Sequence, residues 1–450
     1  MNENMVTIWK MLVTDDRFLL HFCGKFVMIR TKKYWRLQQS AAEEKMKDRG
    51  YRQVTVTKKA ETSIVSGHPW VFDAEVQPLG EAPEDGALTD VLSVKGRYLG
   101  TGFYNSHSKI RVRLLSRNTN DRFDEAFFER RIRYAWEYRK TVMGKDTDCC
   151  RVIFGEADQF PGLTVDRFGS ILVVQTLSLG FEKIKPMLFE ILYRVLTQDG
   201  QRIDGIYERN DVAIRELEGL QQEKGFYPLP GIAQPESTQT EITENGIRYL
   251  VDFENGQKTG FFLDQKYNRQ AVARLAAGKN VLDCFTHTGS FALNAAKGGA
   301  QHVHAVDISE EAIAMTRANI HRNGFERLVD CEQANVFDLL PTLQPGQYDF
   351  IILDPPAFTK SRRTVERAAR GYKEINLRAM KSLPRGGYLA TCSCSHFMPE
   401  PLFCKMLHAA AADAQVSLRQ IEARQQAPDH PILWNVPETD YLKFYLFQIV

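Results

Sequence analysis

No Cys-x-x-Cys pair occurs among the eight cysteines of this 450-residue chain (positions 23, 149, 150, 284, 331, 392, 394 and 404). That argues against a structural zinc site. Their irregular spacing in a long chain points to reduced thiols rather than a disulfide framework. No apolar run approaches the length of a membrane span. Charge of one sign is also lacking: Lys and Arg total 58 against 56 Asp and Glu. Any nucleic-acid footprint must therefore be local. There is no internal repeat and no low-complexity tract. What remains is a composition 43% hydrophobic, enough for two or three domains with substantial cores. A cytoplasmic enzyme without metal and without a membrane partner is the expectation.

Two short motifs carry the most information. Tyr348-Asp349-Phe350-Ile351-Ile352-Leu353 reads as a buried strand and is followed by Asp354-Pro355-Pro356-Ala357-Phe358. Gly387-Tyr388-Leu389-Ala390-Thr391 reads as another strand, followed by Ser393-Cys394-Ser395. In an open parallel sheet, ligands bind beyond the carboxyl ends of the strands, so both motifs belong on one reactive rim. The prolines fix φ and remove backbone donors, which stiffens the loop presenting Asp354. A thiol in such a place is a candidate nucleophile; a buried core cysteine is the competing reading of Cys394.

A nucleoside site lies upstream. Lys279 to Asp283 is strand-like, Cys284 to Ser290 forms a turn, and Phe291 to Ala296 opens a helix. The strand His302 to Val306 ends on Asp307, 24 residues past Asp283. Strand, tight turn, helix N-terminus and an acid closing the next strand make a layout that binds nucleosides, the acid accepting from ribose hydroxyls. The turn lacks G-x-G-x-x-G: only Gly289 stands there, among Thr286, Thr288 and Ser290. That disfavours a pyrophosphate-bearing dinucleotide and suits a ligand without phosphates.

With a third strand end at Val329 to Ala334, the chain from Phe253 onward resembles the class I S-adenosylmethionine-dependent methyltransferases. More narrowly, it is similar to the RlmI-type large-subunit ribosomal RNA cytosine-C5 methyltransferases. The matches are Asp283-Cys284-Phe285-x-x-Thr288-Gly289-x-Phe291-Ala292, Asp307 with Ser309, Asp354-Pro355-Pro356-x-Phe358, Arg370-Gly371-Tyr372-Lys373-x-Ile375-Asn376, Ser393-Cys394-Ser395 and Asp429-His430-Pro431. The resemblance implies S-adenosyl-L-methionine as cofactor, held by Asp283, Phe285, Thr288, Gly289, Asp307, Asn335, Asp354 and Pro355. It implies Cys394 and Asp354 as catalytic residues and 23S ribosomal RNA of the large subunit as partner. Members usually carry Asp where Asn335 stands; the Asn oxygen can still accept from the adenine amino group, without the charge. The sequence leaves a homodimer open.

The implied fold is α/β: a Rossmann-like domain with a mostly parallel seven-stranded sheet, preceded by a β-rich PUA domain and a small α+β middle domain. Boundaries are expected at 1–50 for an extension without order, 51–120 for the PUA-like domain, 121–235 for the middle domain and 236–450 for the methyltransferase domain. Within the PUA-like stretch, alternation places Lys109, Arg111 and Arg113 on one strand face, a candidate phosphate stripe. His68 and Trp70 are expected to be packing residues. Phe128, Ile132, Ala135 and Trp136 mark a helix with one apolar stripe, its Arg130, Arg131, Arg133 and Arg139 forming a solvated face. A hairpin from Ile247–Phe253 to Gly260–Gln265 is expected to form a flap over the cofactor.

The chemistry follows from the reagent. Cytosine carbon 5 is a poor nucleophile until a thiolate adds at carbon 6; losing the carbon 5 proton later expels the thiolate. Asp354 would hold the base edge, and Cys392 is the second-choice nucleophile. Two other readings compete: a methyltransferase for guanine N7 or an exocyclic amine, which needs no thiol, and a non-catalytic RNA-binding assembly factor.

Overall fold

The computed structural model describes residues 49–359 and 361–450, and the backbone of three short strands, Leu12–Thr14, Arg17–Phe22 and Lys25–Arg30, paired antiparallel. Apart from those strands and residues 49 and 50, the expected extension over 1–50 lies outside the described residues.

The first module is a five-stranded sheet in the order Arg52–Val56, Leu88–Ser93, Tyr98–Tyr104, Ile110–Ser116 and Trp70–Phe72. Its core is Val54, Val56, Val71, Val91 and Val112, closed by Ala60 and Ile64 from the helix Lys58–Val65. Thr57 caps that helix by accepting from the Ala60 N–H, the usual role of a threonine at a helix start. The second module has five strands between Cys149–Phe154 and Lys224–Tyr227, covered by the helices Glu125–Met143 and Leu179–Gln198. It is less separate than expected. Cys149, Phe168 and Val173 share one apolar cluster with Tyr249, Phe291 and Phe444 of the third module, so burial ties the two together.

Third is a seven-stranded sheet: β1 Asn280–Cys284, β2 His302–Asp307, β3 Val329–Gln333, β4 Phe350–Leu353, β5 Tyr388–Ser393, β6 Leu418–Arg424 and β7 Lys443–Ile449. The spatial order is β3-β2-β1-β4-β5-β7-β6. β1 to β5 run parallel, and β7 is antiparallel to both β5 and β6. The central strands β1, β4 and β5 are almost wholly buried because helices cover both faces, whereas the edge strand β3 is largely exposed. The order reverses between β1 and β4, which opens the ligand crevice at their carboxyl ends. The flanking helices are α1 Lys266–Leu275, α2 Ser290–Lys297, α3 Glu310–Asn323, α4 Val365–Ser382 and α5 Glu400–Ala414.

Three expectations are corrected. Ile247–Asp252 pairs upstream with Gln239–Glu244 rather than with 260–265; Leu263–Gln265 is instead a 3-10 turn entering α1. Arg113 is no phosphate-facing residue: it is buried and bonds Glu218 at 2.8 Å across the module boundary. Arg139 is not solvated either. Its guanidinium is fully buried against Asp158 (2.5 and 2.7 Å) and donates to the Asp429 carbonyl at 2.8 Å. Arg131 similarly serves the carbonyls of Leu115 and Gln159. Trp70 is a packing residue as expected, its indole N–H bonding Glu156 at 2.9 Å and its ring edge-on to His68.

Candidate active site

The carboxyl ends of β1, β2, β4 and β5 converge on one rim. At the end of β1, Asp283 is buried; its Oδ2 accepts from Thr286 Oγ1 (2.6 Å) and from the Ala292 N–H (2.9 Å). It thereby fixes the turn to the first residues of α2. Phe285, His287 and Gly289 all have positive φ (63°, 54° and 79°), curling the backbone tightly between strand and helix. At Gly289 a Cβ would meet Thr316 Cγ2 at 2.9 Å, so no other residue fits there. Asp307 closes β2, and its two oxygens accept from the N–H groups of His287 and Ser309, both at 3.0 Å. Asp283 Oδ1 and Thr288 Oγ1 are buried polar atoms with no partner among the described residues.

Desolvation, opposed by the Thr286 and Ala292 bonds, pushes the Asp283 carboxyl up to about 7. Desolvation also pulls His287 down to about 4, so its imidazole is neutral. Asn335 caps the short helix after β3. Its Oδ1 accepts from the Phe337 N–H at 3.1 Å, and its Nδ2 donates to Asp338 at 2.8 Å. One lone pair of that oxygen remains for a further donor.

The second half of the rim joins β4, β5 and β7. Asp354 follows β4 directly, with Pro355 buried behind it. Its Oδ1 accepts from Gln265 Nε2 at 3.0 Å, and the Cys392 thiol also bonds the carboxyl. Loss of hydration, and then the charge of Asp264, raise Asp354 to about 7. Cys394 follows β5 and is partly accessible, whereas Cys392 is fully buried within the strand. Ser395 Oγ donates to the Thr359 carbonyl at 2.9 Å, which laces the Ser-Cys-Ser turn to the Asp-Pro-Pro loop.

Because β7 is antiparallel to β5, its first residue, Lys443, lies opposite Ser393. Its ammonium donates to the carbonyls of Ser395 and Tyr441, each at 2.7 Å. Desolvation and the Asp354 charge raise the Cys394 thiol to about 11, against the pull of Lys258 and Lys443. Desolvation in turn lowers Lys443 to about 8.

The carboxyl ends of β1 to β5 therefore carry the catalytic and cofactor-binding candidates named from the sequence: Asp283, Phe285, Thr288, Gly289, Asp307, Asn335, Asp354, Pro355 and Cys394. The rim adds three that the sequence reading missed. Gln265 orients Asp354 and is itself held by Asn268 Nδ2 at 2.7 Å. Asp264 accepts from the Tyr441 hydroxyl at 2.6 Å and lends the site negative charge. Lys443 lends it positive charge. Asp429-His430 is a clasp rather than part of the rim: Asp429 accepts from His430 Nδ1 (2.9 Å) and from the Arg151 N–H (2.8 Å) of the middle module.

The donors and acceptors suit an adenosine-bearing ligand without phosphates. Asp307 and Asn335 present acceptor oxygens at the ends of the second and third strands, and the unpartnered oxygens of Asp283 and Thr288 lie at the turn after the first. Comparison with known proteins agrees. Residues 54–117 match the PUA-like domain family and residues 232–448 the S-adenosylmethionine-dependent methyltransferase family. A ribosomal RNA large subunit methyltransferase I from Klebsiella pneumoniae is 37% identical over 90% of this chain and 100% of its own length. The Erwinia tasmaniensis protein of the same name is 38% identical over 88% of this chain and 98% of its own.

Among solved structures, a provisionally assigned S-adenosylmethionine-dependent methyltransferase from Streptococcus mutans shares the fold (TM-score 0.73, 22% identity, 88% of this chain and 100% of that one). So does SMU.776 complexed with SAH (TM-score 0.74, 23% identity, 88% and 100%). This chain belongs to the ribosomal RNA large subunit methyltransferase I family, S-adenosylmethionine-dependent enzymes in which a PUA-like domain precedes the methyltransferase domain.

Proposed function

We propose that this protein methylates carbon 5 of a cytidine in 23S ribosomal RNA, in the cytoplasm, through a covalent adduct with Cys394. The observation that carries this reading is the pairing of Cys394 and Asp354 at adjacent strand ends, their loops tied by Ser395. S-adenosylmethionine, when bound, supplies an electrophilic methyl group. Asp307 and Asn335 would bind its nucleoside, with the turn from Asp283 and Phe285 to Thr288 and Gly289 and the first residues of the Asp354-Pro355 loop enclosing the rest.

The remaining work falls to the chain's own residues. Asp354, raised to about 7, still holds a proton in part of the population near neutrality. It can donate that proton to the cytosine ring nitrogen while an oxygen accepts from the exocyclic amine. As the Cys394 sulfur bonds to carbon 6, the ring electrons move toward that nitrogen, and carbon 5 becomes nucleophilic. Once carbon 5 carries the methyl group, its proton passes to solvent, the carbon 5–carbon 6 double bond re-forms as the thiolate departs, and the ring nitrogen returns its proton to Asp354. A thiol raised to about 11 is nearly all protonated at neutral pH, so Lys443 and Lys258 matter as the cations that favour its ionised form.

Target bases in RNA must be unstacked to reach such a site. The domain boundaries near 50, 120 and 235 are retained in this reading. Mapping ribosomal RNA nucleosides from cells with and without the gene tests it. One 5-methylcytidine should disappear; loss of an N7-methylguanosine or a methylated exocyclic amine would contradict it.

A further inference from the structure

Among the described aromatic residues, Trp434 is the most exposed. It is 96% exposed, although the loop carrying it is firmly held. Val436 beside it is fully buried. Leu433 N–H bonds Thr439 Oγ1 at 2.9 Å, and Asn435 Nδ2 donates to the Gly67 carbonyl of the first module at 2.5 Å. Glu438, on the same loop, pairs with His68 at 3.2 Å. The loop is thus clamped to both the PUA-like and methyltransferase domains while it projects a bare indole.

Trp434 forms one wall of a groove of about 690 Å³ that also includes Arg424, His396, Glu400, Asp440 and Lys443. That size lies within the usual ~300–1,000 Å³ range of ligand sites. Lys443 bonds the carbonyl next to Cys394, so whatever fills the groove lies beside the reacting base. The two acids have neutral donors of their own: Tyr445 hydroxyl on Glu400 at 2.5 Å, and Gln425 on Asp440 at 3.3 Å. The groove's cations are Arg424, paired with Glu422 at 2.9 Å, and Lys443, which holds the carbonyls of Ser395 and Tyr441.

We propose that this groove receives an unstacked nucleotide of the RNA adjacent to the target base, its base stacked on the Trp434 indole. An aromatic platform next to cations is how single-stranded nucleic acid is held without sequence readout. The inference rests on the RNA-methyltransferase reading above, and it adds the position of a second nucleotide.

The test compares the full-length protein with Trp434→Ala and Trp434→Phe. With ribosomal RNA from cells lacking the gene, the alanine variant should raise KM for RNA about tenfold, within the measured range for base–aromatic stacking. It should leave affinity for S-adenosylmethionine unchanged, and phenylalanine should restore most of the loss. Binding of a short single-stranded oligocytidylate should quench wild-type tryptophan fluorescence, and that quench should vanish in Trp434→Ala. An unchanged KM together with an unchanged quench overturns the proposal. So does a change in oligomeric mass by light scattering without an effect on RNA, which would assign the indole to a protein contact. If wild-type protein methylates no ribosomal RNA, the functional reading fails, while the oligocytidylate quench still decides the groove.

Discussion

Replacing Asp354 by asparagine should make Cys394 more reactive and the enzyme less active. Desolvation is the first cause of the raised thiol and the Asp354 charge the second. Asparagine keeps the volume and an acceptor for Gln265, so desolvation stays and the charge goes. Removing a neighbouring like charge typically moves a titration by about one unit or more, ~1.4 kcal/mol per unit. The thiol should then fall from about 11 to about 10. Above pH 8, where Asp354 is ionised in the wild type, the thiolate fraction rises about tenfold. Alkylation of Cys394 by iodoacetamide, followed by peptide mass mapping, should accelerate by that factor at pH 8.5. Methylation should fall by about two orders of magnitude or more, because the variant has no proton to give the base. Opposite signs in the two assays are the signature. Unchanged alkylation with near-normal turnover would refute both the coupling and the role of Asp354.

Two further outcomes follow from buried groups. In Asp283→Asn, the side-chain oxygen can still accept from Thr286 and Ala292. Since the wild-type carboxyl is raised to about 7, its contribution to stability is present below the unfolded value near 4 and is lost as pH rises through about 7. Denaturant unfolding without cofactor should therefore favour the variant progressively between about pH 4 and 7, by up to ~4 kcal/mol; a pH-independent difference would contradict the assignment. Arg113→Ala leaves buried Glu218 without its 2.8 Å partner and should lower stability by about 3 kcal/mol in urea unfolding; an unchanged midpoint would mean that this contact does not couple the two modules.

Much of the rim was legible because parallel strands are buried on both faces and read as continuous apolar runs. The polar residue closing each run then falls on the ligand side. Asp283, Asp354 and Cys394 are legible that way, and Asp307 as the acid closing the strand after the nucleoside turn. Lys443 was not, because it begins rather than ends a strand; only the antiparallel insertion of β7 beside β5 brings it to the thiol. Gln265 was missed for a related reason: it reaches Asp354 from a 3-10 turn 89 positions away, a contact no local pattern announces.

Arg113 and Arg139 were misread because periodicity assigns a face but not what packs over it. The true hairpin has a local signal. Asn245-Gly246, with φ of 54° and 72°, is the strongest short-range turn signal in a sequence, and it pairs Ile247–Asp252 with the strand before it.

The central claim is the thioether between Cys394 and carbon 6 of a cytosine. Ribosomal RNA carrying 5-fluorocytidine tests it most directly, because fluorine cannot leave as a cation and the adduct persists. Incubated with S-adenosylmethionine, the wild-type protein should form a denaturation-resistant complex with that RNA. Cys392→Ala should retain trapping with some loss of stability, and Cys394→Ala should lose both trapping and turnover. A Cys394→Ala protein that methylates at a near-normal rate would contradict the account and leave this cysteine a residue of the fold alone.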